Sequence, residues 1–134
     1  MSTRRLHSHI RQARPLVALV ALGLMLLTTN RAAAHHGWAG YVSDELELSG
    51  TLETPLSLEN PHATMKGRVD DQIWDIVLAP PARTASAGLK EGIIPVGAKV
   101  TVQGHRHRNP KRPELKTERV IWGERLFNVY PDRR

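Results

Sequence analysis

The chain has 134 residues, a formal net charge of +6 and no cysteine. Its length suits one domain with one hydrophobic core. The absence of cysteine excludes disulfide bonds, thiolate metal sites and thiol catalysis.

Residues 1–34 have the layout of a cleaved signal peptide. Arginines without any acid occupy 1–14, an apolar run follows at 16–27, and three alanines end the segment at 32–34. A transmembrane helix needs about 20 apolar residues, so the short run favours a leader over an anchor or a buried helix. We therefore expect a periplasmic or secreted protein with no membrane span after processing.

The cleavage position decides the first residue of the mature chain. Cleavage after Ala34 gives His35 as the first residue, whereas cleavage after Ala33 gives Ala34. Small residues at 32 and 34 favour the first alternative. Thr3-Arg4-Arg5 leaves both general secretory and twin-arginine export open.

Removal of the leader changes the charge argument. All five arginines of 1–34 leave with it, so residues 35–134 retain 14 basic against 13 acidic side chains. A net charge of +1 argues against nucleic acid as the partner. The remaining basic residues concentrate at 105–134, where nine basic side chains face four acidic ones.

Alternating apolar and polar residues predict an all-β domain at 46–130, preceded by a mature N-terminal segment at 35–45. The predicted strands cover 46–58, 62–69, 73–78, 98–107, 117–122 and 125–130, with a short helix at 81–90 after the third. Three strands, a helix and two strands are the order of an OB-like, five- to six-stranded, partly open barrel. A small open β-sandwich is the alternative. On the fourth strand, this pattern directs His105 and His107 outward.

Several motifs resemble a family of small exported proteins of Gram-negative bacteria, classed as a domain of unknown function. They are Ala34-His35-His36, Asn60-Pro61-His62-Ala63, Trp74, the Gly97-x-x-Val100-x-Val102-x-Gly104 strand and Gly123-x-x-Leu126-Phe127. The resemblance spans nearly the whole mature chain. It implies a periplasmic β-barrel and supplies no established activity.

Three histidines form a candidate metal site, composed of His35, His36 and His62. An N-terminal His35 would offer its α-amine and its ring, and a second imidazole from His36 or His62 would complete a three-nitrogen site suited to Cu(II). Cleavage after Ala33 would instead place a histidine second and third from the amine, which also suits Cu(II). The alternative is a frayed terminus together with a turn histidine that bonds backbone.

A basic segment at 105–116, which ends at Lys116, forms the second candidate site, an OB-type loop that binds an anionic ligand or a periplasmic partner protein. Its members are His105, Arg106, His107, Arg108, Lys111 and Arg112. The alternative for them is a solvated basic strand end. His105 and His107 stand about 7 Å apart on one strand face, too far for easy chelation.

Catalysis finds little support in the sequence. There is no nucleophile-elbow spacing, zinc-protease helix motif or glycine-rich phosphate loop. Asp70-Asp71 reads as a hairpin turn, and Trp74 and Trp122 as core residues. The sequence thus predicts a binding module, for copper or for an anionic ligand. A third, minor hypothesis is a metal-dependent oxidative enzyme that uses the candidate histidine metal site.

Overall fold

The computed structural model describes residues 37–133, which form six strands and one short helix. In chain order these are β1 Tyr41–Leu52, β2 Thr64–Val69, β3 Gln72–Val77, α1 Pro81–Ser86, β4 Lys99–His107, β5 Glu114–Trp122 and β6 Arg125–Asn128. None of the helices within 37–133 is long and apolar enough to cross a membrane. The predicted leader and the histidines at 35 and 36 lie outside the described residues.

The strands close into a small barrel of OB type. Their order is β3-β2-β1-β4-β5-β6, and a parallel pairing of β3 with β5 joins the two sides. In that closure Asp75 faces Glu114 and Val77 faces Lys116. β6 forms a hairpin with β5 and lies outside the five-stranded ring. The prediction of an all-β, OB-like barrel is confirmed, and the β-sandwich alternative is wrong because the ring closes.

The barrel interior is filled by alternate apolar residues of every strand. Leu52, Met65, Ile76, Val102 and Leu115 are all buried in one cluster. Trp74 and Trp122 pack against that cluster and are partly buried. The alternation of the sequence therefore marks the interior face correctly.

The first strand lies several residues earlier than the alternation predicts. It begins at Tyr41 rather than at 46 and ends at Leu52 rather than at 58. At Gly50 a Cβ would overlap the Arg68 carbonyl, with 2.9 Å to its carbon, so glycine allows β1 and β2 to cross closely. After Leu52 the continuous ladder ends, but the chain still pairs with β2 at isolated points: the Glu53 amide donates to the Lys66 carbonyl at 2.8 Å, and Ser57 forms an antiparallel bridge with Thr64. Leu56 and Leu58 of this segment pack on the core.

A β-bulge shapes the contact between β4 and β5. Gln103 pairs with Arg119 and Gly104 pairs with Thr117, so Glu118 is the extra residue. The bulge lets Glu118 and Arg119 both point away from the interior, which Thr117 and Val120 fill. A Cβ at Gly104 would overlap the Lys116 carbonyl and come within 2.8 Å of Thr117 Cα. Glycine is therefore required at this position.

Candidate functional site

A cleft of about 390 Å³ lies over β2 and β3. On one side it is bounded by the β1–β2 loop (residues 53–63), and on the other by Glu114, where β5 begins. In OB-folds the corresponding strand surface contacts the ligand, together with the β1–β2 loop and the loop that precedes β5. The lining residues are Thr54, Pro55, Ser57, Thr64, Met65, Lys66, Asp75, Val77 and Glu114.

The cleft lining combines aliphatic and hydroxyl-bearing side chains with two carboxylates, each of which is paired with a cation. Lys66 forms an ion pair with Asp75 across the β2–β3 ladder. Arg112 donates to Glu114 Oε2 at 2.6 Å, and the Tyr41 hydroxyl donates to Glu114 Oε1. Burial, with Glu114 next, raises the pKa of Tyr41 far above its usual value, so the phenol stays a donor. These pairs hold Glu114 in place and neutralise the acidic part of the cleft.

The β4–β5 loop (residues 108–113) is exposed, basic and held in one conformation. Asn109 Oδ1 accepts from the Lys111 amide at 3.0 Å, and the Asn109 carbonyl accepts from the Arg112 amide at 3.0 Å. The Arg108 amide donates to the Gly40 carbonyl at 2.8 Å. Of the predicted basic set, Arg108, Lys111 and Arg112 lie in this exposed loop. The loop reaches the cleft at Pro113, whose carbonyl accepts from the Asp75 amide at 2.8 Å. Arg106 precedes it, half-buried, and donates to the Pro110 carbonyl at 3.1 Å.

His105 departs from the prediction of a solvated strand end. It points away from the barrel interior, as the alternation indicates, yet it is only 8% exposed. Its Nδ1 lies 3.1 Å from the Val42 carbonyl oxygen, and its Nε2 lies 3.0 Å from Glu118 Oε1. The Trp38 ring packs against it at 5.6 Å between centroids. His105 is therefore a buried, hydrogen-bonded residue and does not belong to the exposed basic loop.

His107 has separate partners. Its Nδ1 accepts from the Asn109 amide at 3.0 Å, and its ring meets the Tyr41 ring edge-on at 5.5 Å. The two strand histidines thus do not converge on one point, in agreement with their spacing. No group of three or more His, Cys, Asp or Glu side chains within residues 37–133 could hold a metal ion.

His62 is the one predicted metal ligand among the described residues. It is half-buried near the end of the β1–β2 loop. The amide of the next residue, Ala63, donates to the Ala79 carbonyl at 3.0 Å. Burial, and secondly the positive charge of Lys116, lower the pKa of His62. The imidazole is therefore neutral at pH 7, the form that ligates metals.

The sequence predicts Lys116 at the end of the basic loop 105–116, but Lys116 is a buried residue of β5. It is only 2% exposed, and its Nζ lies 5.6 Å from the centre of the Trp38 ring and 5.9 Å from that of Tyr130. Desolvation, opposed in part by Glu114, lowers the pKa of Lys116 to about 8. Nothing in the strand pattern could reveal this, because the covering rings come from residues 38 and 130, at opposite ends of the described domain.

The fold is a small β-barrel of OB type, with a cleft over β2 and β3. The chain belongs to a family of unknown function, DUF6152, whose model matches residues 23–116. The resemblance seen in the motifs is thereby confirmed at the level of a family without an assigned function. No curated protein matches the chain.

Proposed function

We propose that this protein is a binding module, rather than an enzyme, that takes an anionic ligand in the cleft over β2 and β3. The observation that carries the proposal is the place of the β4–β5 loop. This basic loop ends at the cleft, where Arg112 pairs with Glu114 and the Pro113 carbonyl accepts from the Asp75 amide at 2.8 Å, on the face where OB-folds take their ligands.

Charge supports an anionic ligand. The cleft carboxylates Asp75 and Glu114 are already paired with Lys66 and Arg112. Within residues 37–133, Arg108 and Lys111 form no ion pair, so their charge is left to attract a ligand. Positive charge at a cleft edge raises the local concentration of anions.

The cleft lining also narrows the ligand class. It contains hydroxyls, ion pairs and aliphatic groups, and no aromatic ring is among its described residues. Single-stranded nucleic acids bind OB-folds largely by stacking of bases on aromatic side chains. The lining therefore favours a phosphate- or sulfate-bearing polymer over a nucleic acid.

The test compares wild type with Arg108→Gln/Lys111→Gln in binding to inorganic polyphosphate at low salt. Two exposed charge contacts of about 0.7 kcal/mol each correspond to a roughly tenfold weaker Kd. The matched control is Lys90→Gln/Arg125→Gln, two exposed basic residues outside the loop and the cleft lining. Equal losses in both variants would show attraction by net charge alone and would contradict the proposed site.

A second candidate is a Cu(II) site formed by His62 with His35 and His36. The specific observation in its favour is the neutral imidazole of His62. Burial and, secondly, the positive charge of Lys116 lower the pKa of His62, and the Nζ of the same lysine lies 5.6 Å from the centre of the Trp38 ring. His36 stands two positions before Trp38 in the sequence.

Copper binding should depend on a free α-amine at His35. Electron paramagnetic resonance of the exported protein would be compared with a form carrying an extra Met before His35, with His62→Gln, and with His107→Gln as control. We expect binding to tighten from about pH 6 to 8, because an α-amine with a pKa near 7.7–8.0 must lose its proton. An unchanged spectrum and affinity with the extra Met would refute the three-nitrogen site, and intact mass would establish the first residue.

A further inference from the structure

Trp38 closes over the outer face of β4 and β5. Its ring meets the rings of Tyr130 at 5.1 Å and His105 at 5.6 Å, both edge-on. The Arg133 guanidinium lies 3.9 Å from the centre of the Trp38 ring. We call Trp38, His105, Tyr130 and Arg133 the Trp38 clasp. It joins residues from both ends of the described domain to β4.

The hydrogen bonds of His105 require a charged ring. Its Nδ1 faces the Val42 carbonyl oxygen at 3.1 Å, and its Nε2 faces Glu118 Oε1 at 3.0 Å. Both oxygens are acceptors when Glu118 is ionised, and a neutral imidazole has a single N–H. Only the imidazolium can donate to both at once.

Glu118, the carboxylate that faces His105, is 3% exposed and has further cationic partners. Arg133 also donates to Glu118 Oε1 at 2.7 Å, and Arg119 lies 3.7 Å from its other oxygen. Lys116 is the cross-strand neighbour of His105, and Arg119 ties Glu45 of β1 to the same group. The carboxylate keeps two cationic partners when His105 loses its proton, so the bond to His105 is the one that can be given up.

A polar cavity of about 420 Å³ adjoins the pair. Its lining residues are Ser43, Glu45, His105, Glu118, Asp132 and Arg133. A cavity of this size admits water. Protons can therefore reach the His105–Glu118 pair without unfolding of the barrel.

We propose that the Trp38 clasp is a pH-sensitive latch, closed when His105 is an imidazolium and released when it becomes neutral. A neutral ring must abandon either the Val42 carbonyl or Glu118. Either choice reorients the imidazole ring against which Trp38 packs. The latch would control the exposure of Trp38. This inference uses a different face from the cleft and does not depend on the ligand proposed there.

The experiment is ¹⁹F NMR of the protein labelled with 5-fluorotryptophan. Three resonances are expected, for Trp38, Trp74 and Trp122, and Trp38→Phe assigns the first. Between pH 5 and 8, where imidazoles lose their proton, the Trp38 resonance should move to a solvent-exposed position while the other two stay. The movement should vanish in His105→Gln and persist in His107→Gln, which lies on the same strand face but does not contact Trp38.

Two further measurements keep the proposal open to refutation. Glu118→Gln removes the negative charge that favours the imidazolium, so the midpoint of the Trp38 transition should move to lower pH. In the unmodified sequence, ¹⁵N NMR of His105 should show both ring nitrogens protonated while Trp38 is packed. A Trp38 transition that survives in His105→Gln, an unmoved midpoint in Glu118→Gln, or a neutral His105 beneath a packed Trp38 would each overturn the latch.

Discussion

Gly104→Ala tests whether the bulge between β4 and β5 organises the outer polar face. The new Cβ would overlap the Lys116 carbonyl oxygen and stand 2.8 Å from Thr117 Cα. Both obstacles are backbone, so no side chain can turn aside and the two strands must separate. Overpacking of this kind costs typically 1–3 kcal/mol, and a backbone obstacle places the expected cost at the upper end, about 3 kcal/mol.

Such a loss is large against a typical unfolding free energy of roughly 5–15 kcal/mol. For a domain of about 100 residues, each kcal/mol lowers Tm by about 4–8 °C, so we expect a drop of roughly 12–24 °C. Urea unfolding followed by circular dichroism would measure the free energy directly. Separation of the strands should also disturb the Trp38 resonance, because His105 follows Gly104 immediately.

Gly67→Ala is the matched control on β2. Its Cβ would stand 3.0 Å from the Ile76 Cδ1 atom, a methyl group that can turn away, and in ordinary contact with the Thr51 carbonyl oxygen at 3.7 Å. We expect a cost below about 1 kcal/mol. If Gly104→Ala costs no more than Gly67→Ala, then β4 and β5 do not approach each other as closely as described, and the argument from the bulge fails.

Three further substitutions test the contacts around the cleft and the covered face. Tyr41→Phe removes a donor to the buried Glu114 carboxylate and should lower the free energy of unfolding in urea by about 2 kcal/mol. Tyr130→Phe should cost less, because the Tyr130 hydroxyl makes no side-chain hydrogen bond within 37–133. Lys116 has a folded-state pKa of about 8, below its usual 10.5. Between these values the unfolded chain binds more protons than the folded one, so the free energy of unfolding should rise as pH increases from 8 towards 10. The Lys116 contribution to this rise should be missing in Lys116→Met, and an unchanged slope in that variant would contradict the burial of the amine. Asn109→Ala removes the acceptor of the Lys111 amide and should weaken polyphosphate binding a few-fold without lowering Tm by more than about 4 °C, and equal binding would show that the loop conformation does not matter.

Alternation identified the interior of the barrel because every strand has one face in the core. It failed at the end of β1 for a physical reason. Leu56 is buried and Leu58 partly buried, so the period-2 pattern continues through 53–58 after the strand has ended. The pattern reports burial of side chains, and this segment buries alternate residues while it pairs with β2 only at isolated points, through Glu53 and Ser57.

The covered outer face could not be predicted from the sequence. Glu114, Lys116 and Glu118 are all buried although they alternate with interior residues on β5. Charged residues at outward positions normally indicate a solvated face, and this is why the sequence placed the start of β5 too late, at 117. Their burial depends on long-range contacts with Trp38, Tyr41 and Tyr130, which no local pattern contains.

The same strand carries both candidate functional regions. Glu114 lies in the cleft, and Glu118 lies under the Trp38 clasp, four residues further along β5. Tyr41 connects them, since its hydroxyl donates to Glu114 and its ring meets the Trp38 ring at 6.3 Å. An opening of the clasp would therefore remove one support of Tyr41, and through it one of the groups that hold Glu114 at the cleft. Binding of an anion beside Arg112 would compete for the cation paired with Glu114, so the two regions share contacts through which one can influence the other.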